Sequence, residues 1–82
     1  MSRQNAIHFL RNVDRLEELR HELYLCEGRD ALFDLLEKSG YAFTGAEFEE
    51  VVDHLHVTCA TEAEADLLMA KATWFRMVAA NA

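Results

Sequence analysis

Proline is absent from this 82-residue chain, and glycine occurs only at positions 28, 40 and 45. Nothing in the chain therefore breaks a helix in its interior by removing a backbone donor. β-Branched residues are few and helix formers dominate, so the expected class is all-α. Cysteine is scarce too. Cys26 and Cys59 are the whole complement, too few for a disulfide framework. No secretory signal is legible in residues 1–15, which carry Arg, Asn and Asp. The expected setting is the cytoplasm, with both thiols reduced. Long apolar runs are missing. Uncharged stretches such as Ala72 to Phe75 fall far short of the ~20 apolar residues that span a bilayer, and no membrane partner is expected.

Basic residues are the next shortage. The chain holds eight Lys and Arg against fifteen Asp and Glu, a formal charge of −7. Residues 41–82 carry two basic side chains against seven acidic ones, and no Lys or Arg lies between Thr44 and Asp66. Nucleic acid needs a positive footprint, so it is excluded as an expected partner. The acidity serves solubility, or docking of a basic partner.

What the chain has in abundance is helix punctuation. Ser39 to Glu47 packs a helix stop, a short aromatic link and a helix start into one stretch. Gly40 suits the left-handed residue that ends a helix. Tyr41 and Phe43 alternate as anchors, with Ala42 facing out between them. Thr44 and Glu47 have capping-box spacing. Ser2 caps a helix over about 3–12, with Ala6, Ile7, Phe9, Leu10 and Val13 apolar. Asp14 with Glu17 signals a second helix from about 15, with Leu16, Leu19, Leu23 and Cys26 on one stripe, ended by Gly28. Whether these two helices are separate or one kinked rod stays open. Asp30 caps a third over about 31–39, with Leu32, Leu35 and Leu36 inward. Thr44 opens a fourth over about 45–57, with Phe48, Val51, Val52 and Leu55 inward and Glu47, Glu49, Glu50 and Asp53 outward. After a short break at Val57–Ala60, Thr61 and Glu64 form another capping box, opening a last helix over about 62–80.

That last helix carries more apolar surface than a small bundle needs. Ala63, Leu67, Ala70, Trp74 and Met77 alternate steps of four and three, a heptad-like seam. Leu68, Phe75 and Val78 widen the face. The first four helices hold enough apolar residues to close a modest core alone. The expected fold is thus an all-α bundle of four to five short helices with a long amphipathic C-terminal helix. Residues 1–57 form the helical domain, and residues 58–82 form a helix that is part of it or an association helix.

Chemical constellations are weak. His54 and His56 point about 200° apart on a helix. If the helix ended at 55, His56 and Cys59 could converge with His8 or His21, without the spacing of a zinc site. No metal or other cofactor is expected. Glu50 and His54 stand at i and i+4, an arrangement common on helix surfaces. No phosphate loop or nucleophile elbow occurs; no enzyme is expected. Cys26 lies at a helix end, which disfavours a reactive thiolate, so Cys59, just before a helix start, is the better thiol candidate, against a reading as a small hydrophobe. Trp74 and Phe75 are the strongest binding candidates, against a reading in which Trp74 is simply the largest core residue.

Phe9-Leu10, the helix after Asp14 and, above all, Leu35-x-x-x-x-Gly40-Tyr41-x-Phe43-Thr44-x-x-Glu47 carry a resemblance. Over about residues 1–56 the chain resembles the nitrogen-fixation-associated "Nif-eleven" domain. The family includes small proteins encoded near nitrogenase genes and leader regions of ribosomally made, modified peptides. Its leaders typically end in a small-residue site, often Gly-Gly, before a core rich in Cys, Ser or Thr. This chain has no Gly-Gly, and beyond residue 61 it has no Cys or Ser and a single Thr, Thr73. The resemblance therefore implies a non-enzymatic accessory protein of a nitrogen-fixation gene cluster. The seam and aromatics of the last helix, apart from the resemblance, point to protein–protein contact, as a homodimer or heteromer, through Leu67, Ala70, Trp74, Phe75 and Met77. A leader-like precursor recognised by a modifying enzyme is the alternative, and a small metal or redox carrier a weaker one.

Overall fold

A computed structural model describes residues 2–82. Helix α1 covers Arg3–Asn12, and a 3-10 turn, Val13–Arg15, follows it. Then come α2 (Glu17–Tyr24), α3 (Arg29–Lys38), α4 (Gly45–Thr58) and α5 (Glu62–Asn81). Among the described residues there is no strand, and the fold is an all-α bundle of short helices closed by one long one.

Three helix boundaries follow directly from side chains that satisfy orphan backbone groups. The Ser2 hydroxyl accepts from the Asn5 N–H at 3.2 Å and caps α1. Thr44 accepts from the Glu47 N–H at 3.1 Å while the Glu47 carboxylate accepts from the Thr44 N–H at 2.9 Å, a complete capping box. α3 is stopped just past Lys38 and Ser39 by Gly40, whose φ is +88°. The Tyr41 N–H there donates to the Leu36 carbonyl at 2.8 Å and the Gly40 N–H to the Glu37 carbonyl at 3.1 Å, the two bonds of a Schellman motif.

Elsewhere the capping differs from the sequence expectation. Asp14 caps nothing: it lies in the 3-10 turn, and its carboxylate is 3.7 Å from Lys71 Nζ on α5. α2 starts after Leu16, which offers no capping oxygen and takes a non-helical conformation. That residue separates α1 from α2, so the two are not one rod. α2 ends at Tyr24, before Gly28; Gly28, at φ +98°, is the residue that opens α3, leaving Asp30 inside its first turn. At α5 the Thr61 half of the box forms, at 3.1 Å, but Glu64 accepts from the Ala60 N–H instead of the Thr61 N–H.

The core is aromatic. Phe75 of α5 lies between Phe48 at 4.6 Å, Phe9 at 5.4 Å and Phe43 at 5.7 Å, centroid to centroid. Phe33 of α3, half-buried, closes the cluster edge-on to Phe43 at 6.1 Å. Such pairs add about 0.5–1.5 kcal/mol beyond area burial. The Tyr41–Thr44 link is anchored at both aromatics: Tyr41 packs edge-on to Phe9 at 5.7 Å, and Phe43 is buried. Ala42 between them does not face out. It is half-buried, and its carbonyl accepts from the Ser2 N–H at 3.1 Å and from Asn5 Nδ2 at 2.9 Å. The start of α1 is thereby tied to the α3–α4 link.

α5 supplies five of the sixteen buried apolar residues among those described: Leu68, Ala72, Phe75, Val78 and Ala79. The first four helices therefore do not close the core alone. α5 packs against α4, α1 and α3, and so forms one wall of the bundle.

Candidate protein-docking face

Helical geometry splits the apolar surface of α5 in two. Leu68, Ala72, Phe75, Val78 and Ala79 point inward. Leu67, Ala70, Trp74 and Met77 lie on the other side, with Leu67 and Met77 55% and 56% exposed. Four of the five residues proposed from the sequence thus share one outer face. Phe75 does not belong with them. It is 3% exposed at the centre of the core, because a neighbour of Trp74 is turned about 100° around the axis.

Trp74 is half-buried. The Arg20 guanidinium of α2 lies over its ring, 5.3 Å from the centroid, an attraction of about 0.5–1 kcal/mol at such a site. A cleft of about 190 Å³ opens beside it, between the Val13–Arg15 turn and α5, with Val13, Leu67 and Ala70 in its wall and the charged Asp14, Arg20 and Lys71 at its rim. On the far side of the ring a second depression is lined by Tyr24, Met77, Val78 and Asn81. Tyr24 is 72% exposed and its neighbour Leu25 is 60% exposed. The outer face is therefore a shallow, largely apolar groove, floored by α5 and walled by α2.

Sequence reasoning missed the α2 wall. A signal was present: Tyr24 and Leu25 lie off the Leu16–Leu19–Leu23 stripe, so a helix that buries the stripe leaves them outside. Of that stripe, Leu23 is fully buried while Leu16 and Leu19 are half-buried.

The other flank of the molecule is polar. Glu49, Glu50 and Asp53 are exposed on α4. Arg76 of α5 donates to both oxygens of Glu49, through Nε at 3.0 Å and through Nη2, and Arg3 Nε is 2.8 Å from Glu50. The Arg76 hydrogen bond is the main reason the Glu49 carboxyl sits below its ordinary range, against the opposing effect of burial. Glu50, the candidate acid beside His54, is thus already engaged by Arg3. His8, His21, His54 and His56 are all exposed, and α4 runs through Thr58, so both His54 and His56 lie on the helix. Among the described residues, no three His, Cys, Asp or Glu side chains are grouped to hold an ion. Each thiol donates to a carbonyl four residues back, Cys26 to Glu22 at 3.4 Å and Cys59 to Leu55 at 3.2 Å. Burial, then the Glu22 charge, pushes the Cys26 thiol up. Among the described residues, no helix is long and apolar enough to cross a membrane.

No curated protein and no solved structure matches the chain. The model of the Nif11 domain matches residues 1–48. That span covers α1, α2, α3, the Gly40 stop and the Thr44–Glu47 box, and it ends inside α4, so α5 and its outer face lie beyond it. More than half of the chain is matched, and the protein belongs to the Nif11 domain family.

Proposed function

We propose that this protein is a non-enzymatic accessory module, cytoplasmic, that acts by binding protein through the outer groove of α5. The nitrogen-fixation setting comes from the resemblance carried by Gly40 to Glu47, and family membership supports it. The observation that carries the reading is the second apolar face of α5. Leu67 and Met77, with Tyr24 beside Met77, stay more than half exposed while the same helix already fills the core. Contiguous apolar surface of this kind marks interaction sites on small proteins. A charge of −7 disfavours nucleic acid, and the half-buried free thiols suit a reducing compartment.

The leader-like alternative rests on the same match over residues 1–48, the part shared with leader regions. Residues 62–81 weigh against it as a modified core segment, because they form α5 and bury Phe75. A photo-crosslinking residue at Met77, with a second at Asp53 as the control flank, separates the readings in nitrogen-fixing cells of the source organism. An adduct at Met77 alone, with a product of a nitrogen-fixation gene cluster, is expected. An adduct with a peptide-modifying enzyme would establish the alternative. Equal labelling at both positions would sink the docking face.

A further inference from the structure

We infer that the α5 groove takes a second copy of this chain, with the two α5 helices antiparallel across a two-fold axis near Ala72. The inference rests on the docking-face reading and names its occupant.

The spacing of the exposed face is the first reason. Leu67, Ala70, Trp74 and Met77 follow one another by three, four and three residues. About Ala72 those four positions, without Ala63 at the start of the seam, read the same in both directions, as an antiparallel isologous contact requires. Reversing one copy sets Leu67 against Met77 of the second copy and Ala70 against Trp74 of the second copy. Each layer then pairs comparable total volume, and each Trp74 meets an alanine that permits close approach. The cleft of about 190 Å³ beside Ala70 gives that incoming side chain room. Parallel pairing would stack Trp74 on Trp74 and leave Ala70 facing Ala70, one layer overfilled and one empty. Antiparallel helices also align their dipoles favourably.

Charge is the second reason. Beyond Asp66 the chain has no Asp or Glu, although it holds fifteen in all. The two cations in that stretch are engaged within the same copy, Lys71 by Asp14 at 3.7 Å and Arg76 by Glu49. Exposed positions Leu67, Ala70, Thr73, Met77 and Ala80 are uncharged. Two copies of a strongly acidic protein can thus abut along α5, where the one carboxylate lining the cleft, Asp14, is already paired with Lys71. A basic partner would find no carboxylate on this part of α5; its complement is the α4 flank.

Sedimentation at high micromolar concentration tests the inference. The wild type is expected at twice the chain mass. Ala70→Glu, at an exposed position, should keep its far-UV circular dichroism and weaken association more than about tenfold, since two carboxylates would lose water unpaired. In a Cys26→Ser, Cys59→Ser background, a mixture of Leu67→Cys and Met77→Cys chains should cross-link faster than either alone. A monomeric wild type overturns the inference, as does an Ala70→Glu variant that still dimerises, or Met77→Cys chains that cross-link best to themselves. A monomer that still forms the specific Met77 adduct leaves the docking function standing and removes this occupant. A dimer with no foreign adduct does the reverse.

Discussion

Replacing Phe75 by alanine tests the register of α5, on which every functional statement here depends. Phe75 is 3% exposed and touches three buried rings, at 4.6 Å to Phe48, 5.4 Å to Phe9 and 5.7 Å to Phe43. Truncating a buried phenylalanine costs about 3–5 kcal/mol. The lost edge and stacking contacts place this case toward the upper end. A domain of 82 residues has a total stability of about 4–12 kcal/mol. Phe75→Ala therefore removes much of what holds the fold. With about 4–8 °C of melting temperature per kcal/mol at this size, the fall is at least ~12 °C. The companion variant is Met77→Ala, two positions on and about 200° around the helix. Met77 is 56% exposed, so its truncation should cost under ~1 kcal/mol. Thermal and urea unfolding followed by far-UV circular dichroism, at low protein concentration to keep chains apart, reads both. If Met77→Ala proves the more damaging, α5 is rotated, the outer groove is core, and the docking reading collapses.

Two further measurements probe the local chemistry. Gly40→Ala adds a Cβ that meets nothing within 4 Å, so its whole cost is the left-handed backbone at φ +88°. It should lose about 1–2 kcal/mol by urea unfolding, whereas Gly45→Ala, inside α4, should not. Glu49→Gln should cost under ~1 kcal/mol near neutral pH, because the Arg76 pair is solvent-exposed. Arg76 holds the folded-state carboxyl below its ordinary value of 4.5, so the unfolded chain takes up the proton first. The pair's contribution is full above that value and disappears as pH falls through the folded one. The wild type and the variant should therefore converge in stability in acid; a gap that persists there would mean another origin.

Much of the chain is legible without coordinates, wherever the deciding bonds are local. Ser2, Gly40 and Thr44 with Glu47 each satisfy backbone groups within about one turn of themselves, so spacing alone locates those ends. The same holds for the helices around them, and the aromatic alternation of Tyr41 and Phe43 marks the link they anchor. The Gly40–Glu47 stretch is also what carries the family resemblance. Asp14 and Asp30 show the limit. Both have the residue type of a cap, but Asp14 lies near Lys71, fifty-seven positions away, and Gly28 takes the conformation that opens α3 instead.

The candidate face was half legible for a similar reason. The sequence by itself determined that α5 is long, capped at Thr61 and apolar on more than one side. It placed Leu67, Ala70, Trp74 and Met77 on a common seam. It could not decide which apolar side is buried, since Leu68, Ala72, Phe75 and Ala79 recur at helical spacing equally well. Only the tertiary structure decided that. Phe9, Phe43 and Phe48 arrive from three separate segments and build a ring-lined socket, and Phe75 is the residue of α5 that fills it. Once Phe75 is inside, helical geometry turns the neighbouring seam outward. Tyr24 joins it because the Leu23 side chain holds α2 against the bundle. Periodicity fixes which residues share a face; packing from distant segments chooses which face meets water.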